Sequence, residues 1–239
     1  MKKYKLKSYC KINLSLRVLK RLDNGYHKIM SLMTFCDLYD VVSITKNNKM
    51  KDEVSFTGKF KKGIKNNSNT ITKTLNFLRK KKYFKKEYFK INVQKNIPHG
   101  SGLGGGSSNA AILLKFLKSL INLKIKKKEI YEIASQIGSD VPIALERKNT
   151  FLDGKKNKIS RINTKFKFIA IIVYPNISCS TREIYNRNKN FTSLKYRFKH
   201  TLIKKKLMNI LEKENNDLEK TVIESHPKIG KLINFIKVQ

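Results

Sequence analysis

The sequence predicts an α+β chain, and three observations carry that reading. Residues 10–18 alternate apolar and polar side chains. Phe89, Ile91 and Val93 alternate in the same way just before a glycine-rich run that holds Gly100, Gly102, Gly104, Gly105 and Gly106. Beyond that run Ala110, Leu113, Leu114, Leu117 and Ile121 recur at helical spacing. The order is strand, glycine loop, helix, with no parallel βαβ series around it.

The first strand puts Cys10, Ile12, Leu14, Leu16 and Val18 on one face and Lys11, Asn13, Ser15 and Arg17 on the other. Ser15 and Arg17 are expected on a solvated face. Asp23-Asn24-Gly25 is a turn signal. Residues 41–44 and 54–56 read as further strands, and 58–69 as a polar loop. Ile71, Leu75 and Leu78 share one stripe of a helix over 70–80. Ile130, Ile133, Ala134 and Ile137 mark a helix over 127–137 that stops at Gly138. Pro142 suits the first turn of the next helix. Asp140 is then placed near that helix's start, where capping is the commonest task of an aspartate and where the dipole favours negative charge. Residues 151–162 read as a connection with a turn at Asp153-Gly154, and 168–173 as an apolar strand buried on both faces and ended by Pro175. Ser180-Thr181-Arg182-Glu183 has capping-box spacing. Further helices are predicted over 202–211, 216–223 and 229–236.

The glycine loop is the stretch with chemistry. Without side chains in the way, its N–H groups can approach a ligand closely, and the helix behind it aims unsatisfied N–H groups at the same place. Phosphate is the natural occupant. A Walker A loop is excluded, because Ser107 and Ser108 follow glycine with no lysine between. Gly100, Gly102 and Gly105 spell a dinucleotide fingerprint, a weak signal outside a βαβ unit. A protein-kinase glycine loop belongs in a hairpin, whereas this one opens a helix.

Composition excludes several classes. No apolar run reaches membrane-span length, and no apolar core follows the basic start as a secretory signal requires. The three cysteines, Cys10, Cys36 and Cys179, have no metal-type spacing and point to a reducing compartment, hence a cytoplasmic protein. The four histidines form no zinc motif. Lys and Arg number 53 against 17 Asp and Glu, a formal net charge of +36. Such a charge attracts anionic partners, nucleic acid first among them. The lysines are spread through nearly every segment, however, and no RNA-binding signature with interleaved aromatics is visible.

The run from Ile97-Pro98 to Ser107-Ser108-Asn109-Ala110-Ala111 resembles the phosphate loop of the GHMP kinases. The triple glycine followed by Ser-Ser is most similar to the branch that phosphorylates a cytidine-diphosphate-linked methylerythritol. Lys11-Ile12-Asn13-Leu14-Ser15-Leu16, Gly25-Tyr26-His27 and Gly138-Ser139-Asp140-Val141-Pro142 resemble further segments of that branch, and the likeness runs from about residue 5 to 236. It implies a two-domain GHMP kinase fold, with a ribosomal-protein-like α+β domain over 1–155 and an α/β sandwich over 163–239. It implies a kinase using ATP and Mg²⁺. Pro98, His99, Gly100, Ser101, Gly102, Leu103, Gly104, Gly105, Gly106, Ser107 and Ser108 would hold the nucleotide, with Ser107 or Ser108 on phosphate or Mg²⁺. Lys11 and Asp140 would be catalytic, with Asp140 taking the hydroxyl proton. Asn13 would touch the polyol, and Tyr26 and His27 would recognise the cytosine. No protein-ligated metal site, membrane contact or specific nucleic acid is implied, and the chain is expected as a monomer or weak homodimer. The resemblance also implies a late Gly/Ser-rich motif between strands, and nothing like it appears before Gln239. The alternative reading is a degraded kinase or a basic RNA-binding protein on the same fold.

Overall fold

A computed structural model describes residues 2–84, 86–154, 156, 158–163, 169–193 and 212–238. The chain is a mixed α+β protein, as its sequence predicts. Its elements are β1 (Tyr4–Arg21), β2 (His27–Lys46), β3 (Glu53–Thr57), α1 (Thr70–Lys80), β4 (Phe89–Gln94), α2 (Gly105–Leu120), α3 (Lys127–Ile137), α4 (Val141–Ala144), β5 (Asn149–Asp153), β6 (Lys158–Ile162), α5 (Thr181–Arg187), α6 (Glu219–Ser225) and α7 (Pro227–Val238). Packing divides them into two compact units. Unit 1 holds residues 1–11, 35–99 and 103–147; unit 2 holds 12–34, 100–102 and 148–239. Neither unit is one continuous stretch, because β1 and β2 each give their two ends to different units.

In unit 1, β4 lies between β3, its parallel neighbour, and the C-terminal half of β2, its antiparallel one. Val42 and Ile44 pair with Val93 and Ile91, and all four are buried beneath the helices. Ile71, Leu75 and Leu78 of α1, Leu113, Leu114 and Leu117 of α2 and Ile133 and Ile137 of α3 complete that core. Burying each such side chain contributes about 1.5–3 kcal/mol. Asn69 caps α1 by accepting from the Thr72 N–H at 2.9 Å, and Gly138 ends α3. The strand expected over 41–44 belongs to a strand of 20 residues. Its N-terminal part mixes His27, Lys28, Ser31 and Thr34 with apolar residues, so the period is masked there.

In unit 2, the N-terminal half of β2 pairs with β5, and β5 pairs with β6. The segment expected as a connection is therefore a hairpin. Its turn falls at the anticipated Gly154, but Lys158-Ile159-Ser160-Arg161-Ile162 carries too many polar residues to announce a strand. Ser15 and Arg17 also depart from expectation. Ser15 is buried and its Oγ accepts from the Leu32 N–H at 3.2 Å. Arg17 bonds Glu214 and Asp217, each at 3.0 Å, and Asp217 also accepts from the Val18 N–H at 2.8 Å. Residues 214–217 arrive from far along the chain to cover a face that looks solvated in sequence. The apolar run over 169–173 forms no strand: Ile169 is 100% and Ile171 89% exposed. A strand needs a ladder partner, and among the described residues none pairs with it. Ser180 caps α5, accepting from the Glu183 N–H at 3.3 Å. The helix expected from 216 starts at Glu219, because Asn216 forms the preceding turn with the Leu218 N–H. The helix expected over 202–211 lies outside the described residues.

Candidate active site

Strand β4 delivers the chain to the glycine loop, and α2 carries it away, both within unit 1. Gly104 is the residue before α2 and has φ 69°, in the left-handed region. A Cβ there would sit 2.9 Å from Lys11 Cγ and 3.1 Å from Lys11 Cε. Glycine is required twice over, by its backbone and by the lysine stem against it. The first bond of α2 runs from the Ser108 N–H to the Gly104 carbonyl at 2.9 Å. The N–H groups of Gly105, Gly106 and Ser107 are thus the free ones at the start of a helix of 16 residues. Ser108 Oγ is buried and has no protein partner among the described residues.

Lys11 is 6% exposed. Its N–H donates to the Leu103 carbonyl at 2.9 Å, which ties the first strand to the glycine loop. Its Nζ lies 3.2 Å from Asp140 Oδ2. Asp140 precedes α4, but its side chain makes no capping bond. The capping explanation is thereby removed: the carboxylate turns to Lys11 instead, and about a third of it remains exposed, at 34%. Two residues far apart in sequence meet at the loop that their family likeness assigns to phosphate.

A second cluster beneath the loop has no counterpart in the sequence reading. Asp40 is wholly buried. One oxygen accepts from the Asn96 N–H at 2.8 Å and the Ile97 N–H at 2.9 Å. The other accepts from Asn109 Nδ2 at 3.0 Å and from the ammonium of Lys95, itself buried. Asp40 therefore pins the residues entering the loop and the first turns of α2 to one point. The signal was an aspartate set among Tyr39, Val41 and Val42 in a strand, but a single charge in such a place says nothing of its partners. His99, in the same loop, is held below the usual histidine range by desolvation and by the Lys95 charge.

Gly100, Ser101 and Gly102 belong to unit 2, as do Asn13, Tyr26 and His27. The Gly100 carbonyl accepts from the Cys179 N–H at 3.1 Å. Asn13 Oδ1 accepts from Ser31 Oγ at 3.4 Å. Tyr26 is 64% exposed. The His27 ring lies 5.3 Å from that of Tyr185 and, nearly parallel, 6.5 Å from that of Phe191. Partial burial, and then the charge of Arg21, keep His27 below its ordinary value of 6.5.

Replacing Gly104 by alanine is expected to cost about 1–2 kcal/mol for the left-handed backbone, and to lower turnover further by displacing Lys11. Gly102 provides the control. It has φ 75° and nothing within 4 Å of an added Cβ, so Gly102→Ala should lose comparable stability with less effect on kcat. Melting curves and steady-state rates of the two variants check this.

Fold and loop together define a GHMP kinase. Residues 69–147 match the GHMP kinases N terminal domain. The 4-diphosphocytidyl-2-C-methyl-D-erythritol kinase of Pelagibacter ubique is 36% identical over 237 residues, covering 99% of this chain and 82% of that one. The enzyme of the same name from Buchnera aphidicola subsp. Schizaphis graminum is 36% identical over 97% of this chain and 77% of its own. A solved structure of 4-(cytidine 5'-diphospho)-2C-methyl-D-erythritol kinase superposes with a TM-score of 0.67 at 21% identity, covering 96% of this chain and 81% of that one. Homoserine kinase from Cytophaga hutchinsonii shares the fold at a TM-score of 0.56 and 14% identity, over 81% of this chain and 62% of its own. The chain belongs to the 4-diphosphocytidyl-2-C-methyl-D-erythritol kinase family.

Proposed function

We propose that the chain transfers the γ-phosphoryl group of ATP to the 2-hydroxyl of 4-diphosphocytidyl-2-C-methyl-D-erythritol, a step toward isoprenoid precursors. The observation that carries this reading is the Lys11–Asp140 pair, with the Lys11 stem seated against Gly104 at the start of α2. Asp140 accepts the proton of the attacking hydroxyl. The hydroxyl oxygen forms the new P–O bond as the β–γ bridge breaks and ADP leaves. The Lys11 ammonium offsets charge on the attacking oxygen and the transferring group. The free N–H groups of Gly105, Gly106 and Ser107 hold phosphate oxygens. Holding both reactants in line supplies much of the remaining acceleration.

The residues fit a phosphate-borne Mg²⁺. Ser108 Oγ, buried without a protein partner among the described residues, and Ser107 are the groups that would hold it. When bound, the ion would neutralise phosphate charge.

Asn13 positions the polyol, and Tyr26 and His27 receive the cytosine, the first by stacking and the second through ring nitrogens. Because His27 titrates below 6.5, it is neutral at physiological pH. The KM for the cytidine substrate is expected to stay flat from about pH 8 to 6.5 and to rise below that, as the ring gains a second proton. His27→Gln should raise KM throughout and abolish the acid rise. The function itself is tested by mixing purified protein with Mg-ATP and the cytidine substrate and following ADP and phosphorylated product. A folded, ATP-binding protein that releases no ADP with this substrate would overturn the reading.

A further inference from the structure

The sheet of unit 1 has a second face that phosphoryl transfer does not use. Val42, Ile44, Ile91 and Val93 point toward the helices, so Val41, Ser43, Asn92 and Gln94 point the other way. The same alternation turns Lys5 and Lys7 of β1 outward, with Lys3 just ahead of them, and all three are exposed. These lysines and Tyr39, Ser43 and Asn92 line a groove of about 390 Å³ that has no acidic residue in its walls. Lys7 Nζ lies 4.8 Å from the centre of the Tyr39 ring, and Tyr9 meets Tyr39 edge to face at 5.4 Å. The Arg147 guanidinium packs 3.6 Å from the centre of the Tyr9 ring.

We propose that this face binds single-stranded nucleic acid without sequence preference, its phosphates on the lysine row and a base on Tyr39. Alternate residues of a strand stand about 6.6 Å apart on one face. The lysines therefore form a ladder of charges suited to a repeating phosphodiester and not to a single anion. A tyrosine ring beside such a ladder gives any base a stacking surface. The formal net charge of +36 draws polyanions from a distance, and in this groove a row of lysines and a tyrosine ring lie side by side. An anionic membrane would meet the same lysines, but a bilayer is broad and flat where the site is a groove. Tyr39 lies more than thirty residues from Lys7 in the sequence, so only the fold brings the ring and the lysine row together.

Fluorescence anisotropy with a labelled oligo(U) of about twelve nucleotides tests the proposal on the intact chain. At physiological salt, Lys3/Lys5/Lys7→Glu is expected to weaken binding at least about tenfold and to lower the slope of log affinity against log salt by about 2. Tyr39→Ala should weaken it about fivefold or more. The control is Lys80/Lys81/Lys115→Glu, which makes the same change of charge at exposed positions on and beside α1 and α2. It should lose no more than about threefold. Melting curves and kinase rates of all three variants should match the parent. Equal loss in the face variant and the control would overturn the proposal in favour of diffuse charge. So would unaltered binding by Tyr39→Ala. Anionic phosphatidylserine vesicles that displace the oligonucleotide, and bind with the same dependence on Lys3, Lys5 and Lys7, would overturn it in favour of a membrane surface.

Discussion

Asp140→Asn is expected to lower turnover by about 10²–10⁴-fold, the usual contribution of a positioned base, while ATP affinity changes little. The substitution keeps size and shape and removes only the ability to take a proton. A capping role predicts something else: a loss of about 1 kcal/mol of stability with turnover intact. The geometry speaks against the cap, since the Asp140 side chain makes no capping bond and faces Lys11 at 3.2 Å. The measurement is single-turnover transfer beside nucleotide binding and a melting curve. An Asp140→Asn enzyme with near-parent turnover would remove the role proposed for this carboxylate. Lys11→Met should also lose turnover, but with weaker ATP binding, because in the proposed mechanism its ammonium would serve the phosphates as well as the acceptor.

What could be read beforehand follows from how local each signal is. Helices α1 and α3 were legible to the residue, because their apolar stripes and stops lie within the helix itself. The glycine loop was legible because Gly104 answers a local backbone demand. The meeting of Lys11 with Asp140 rested on resemblance, since no periodicity links one strand to a distant helix start. Arg17 looked solvated because its partners, Glu214 and Asp217, lie at the far end of the chain. Residues 169–173 looked buried because an apolar run says nothing of whether a neighbouring strand is there to pair with it. The face holding Lys5, Lys7 and Tyr39 could not be seen at all, being assembled across strands.

Asp40→Ala is expected to be the most destabilising single change, for the same reason that Asp40 went unseen. It would leave the Lys95 ammonium buried without its carboxylate, a defect that costs about 3–5 kcal/mol. It would also strip an acceptor from the N–H groups of Asn96 and Ile97 and from Asn109 Nδ2. Against a total stability of about 5–15 kcal/mol for a typical domain, unit 1 would be near unfolding at growth temperature. A paired change divides the loss into its parts. Asp40→Leu with Lys95→Met removes the buried charges together, and such replacements are often close to neutral. The double variant should therefore recover much of the stability. It cannot recover the Asn96 and Ile97 N–H groups, each costing about 1–3 kcal/mol when buried and unpaired. These two residues set where the glycine loop begins. The double variant should melt closer to the parent than Asp40→Ala does, yet bind ATP more weakly. Urea melts and nucleotide titrations of the three proteins decide it. If Asp40→Ala melts with the parent, the cluster does not anchor the loop; if the double variant binds ATP as well as the parent, Asp40 serves stability alone.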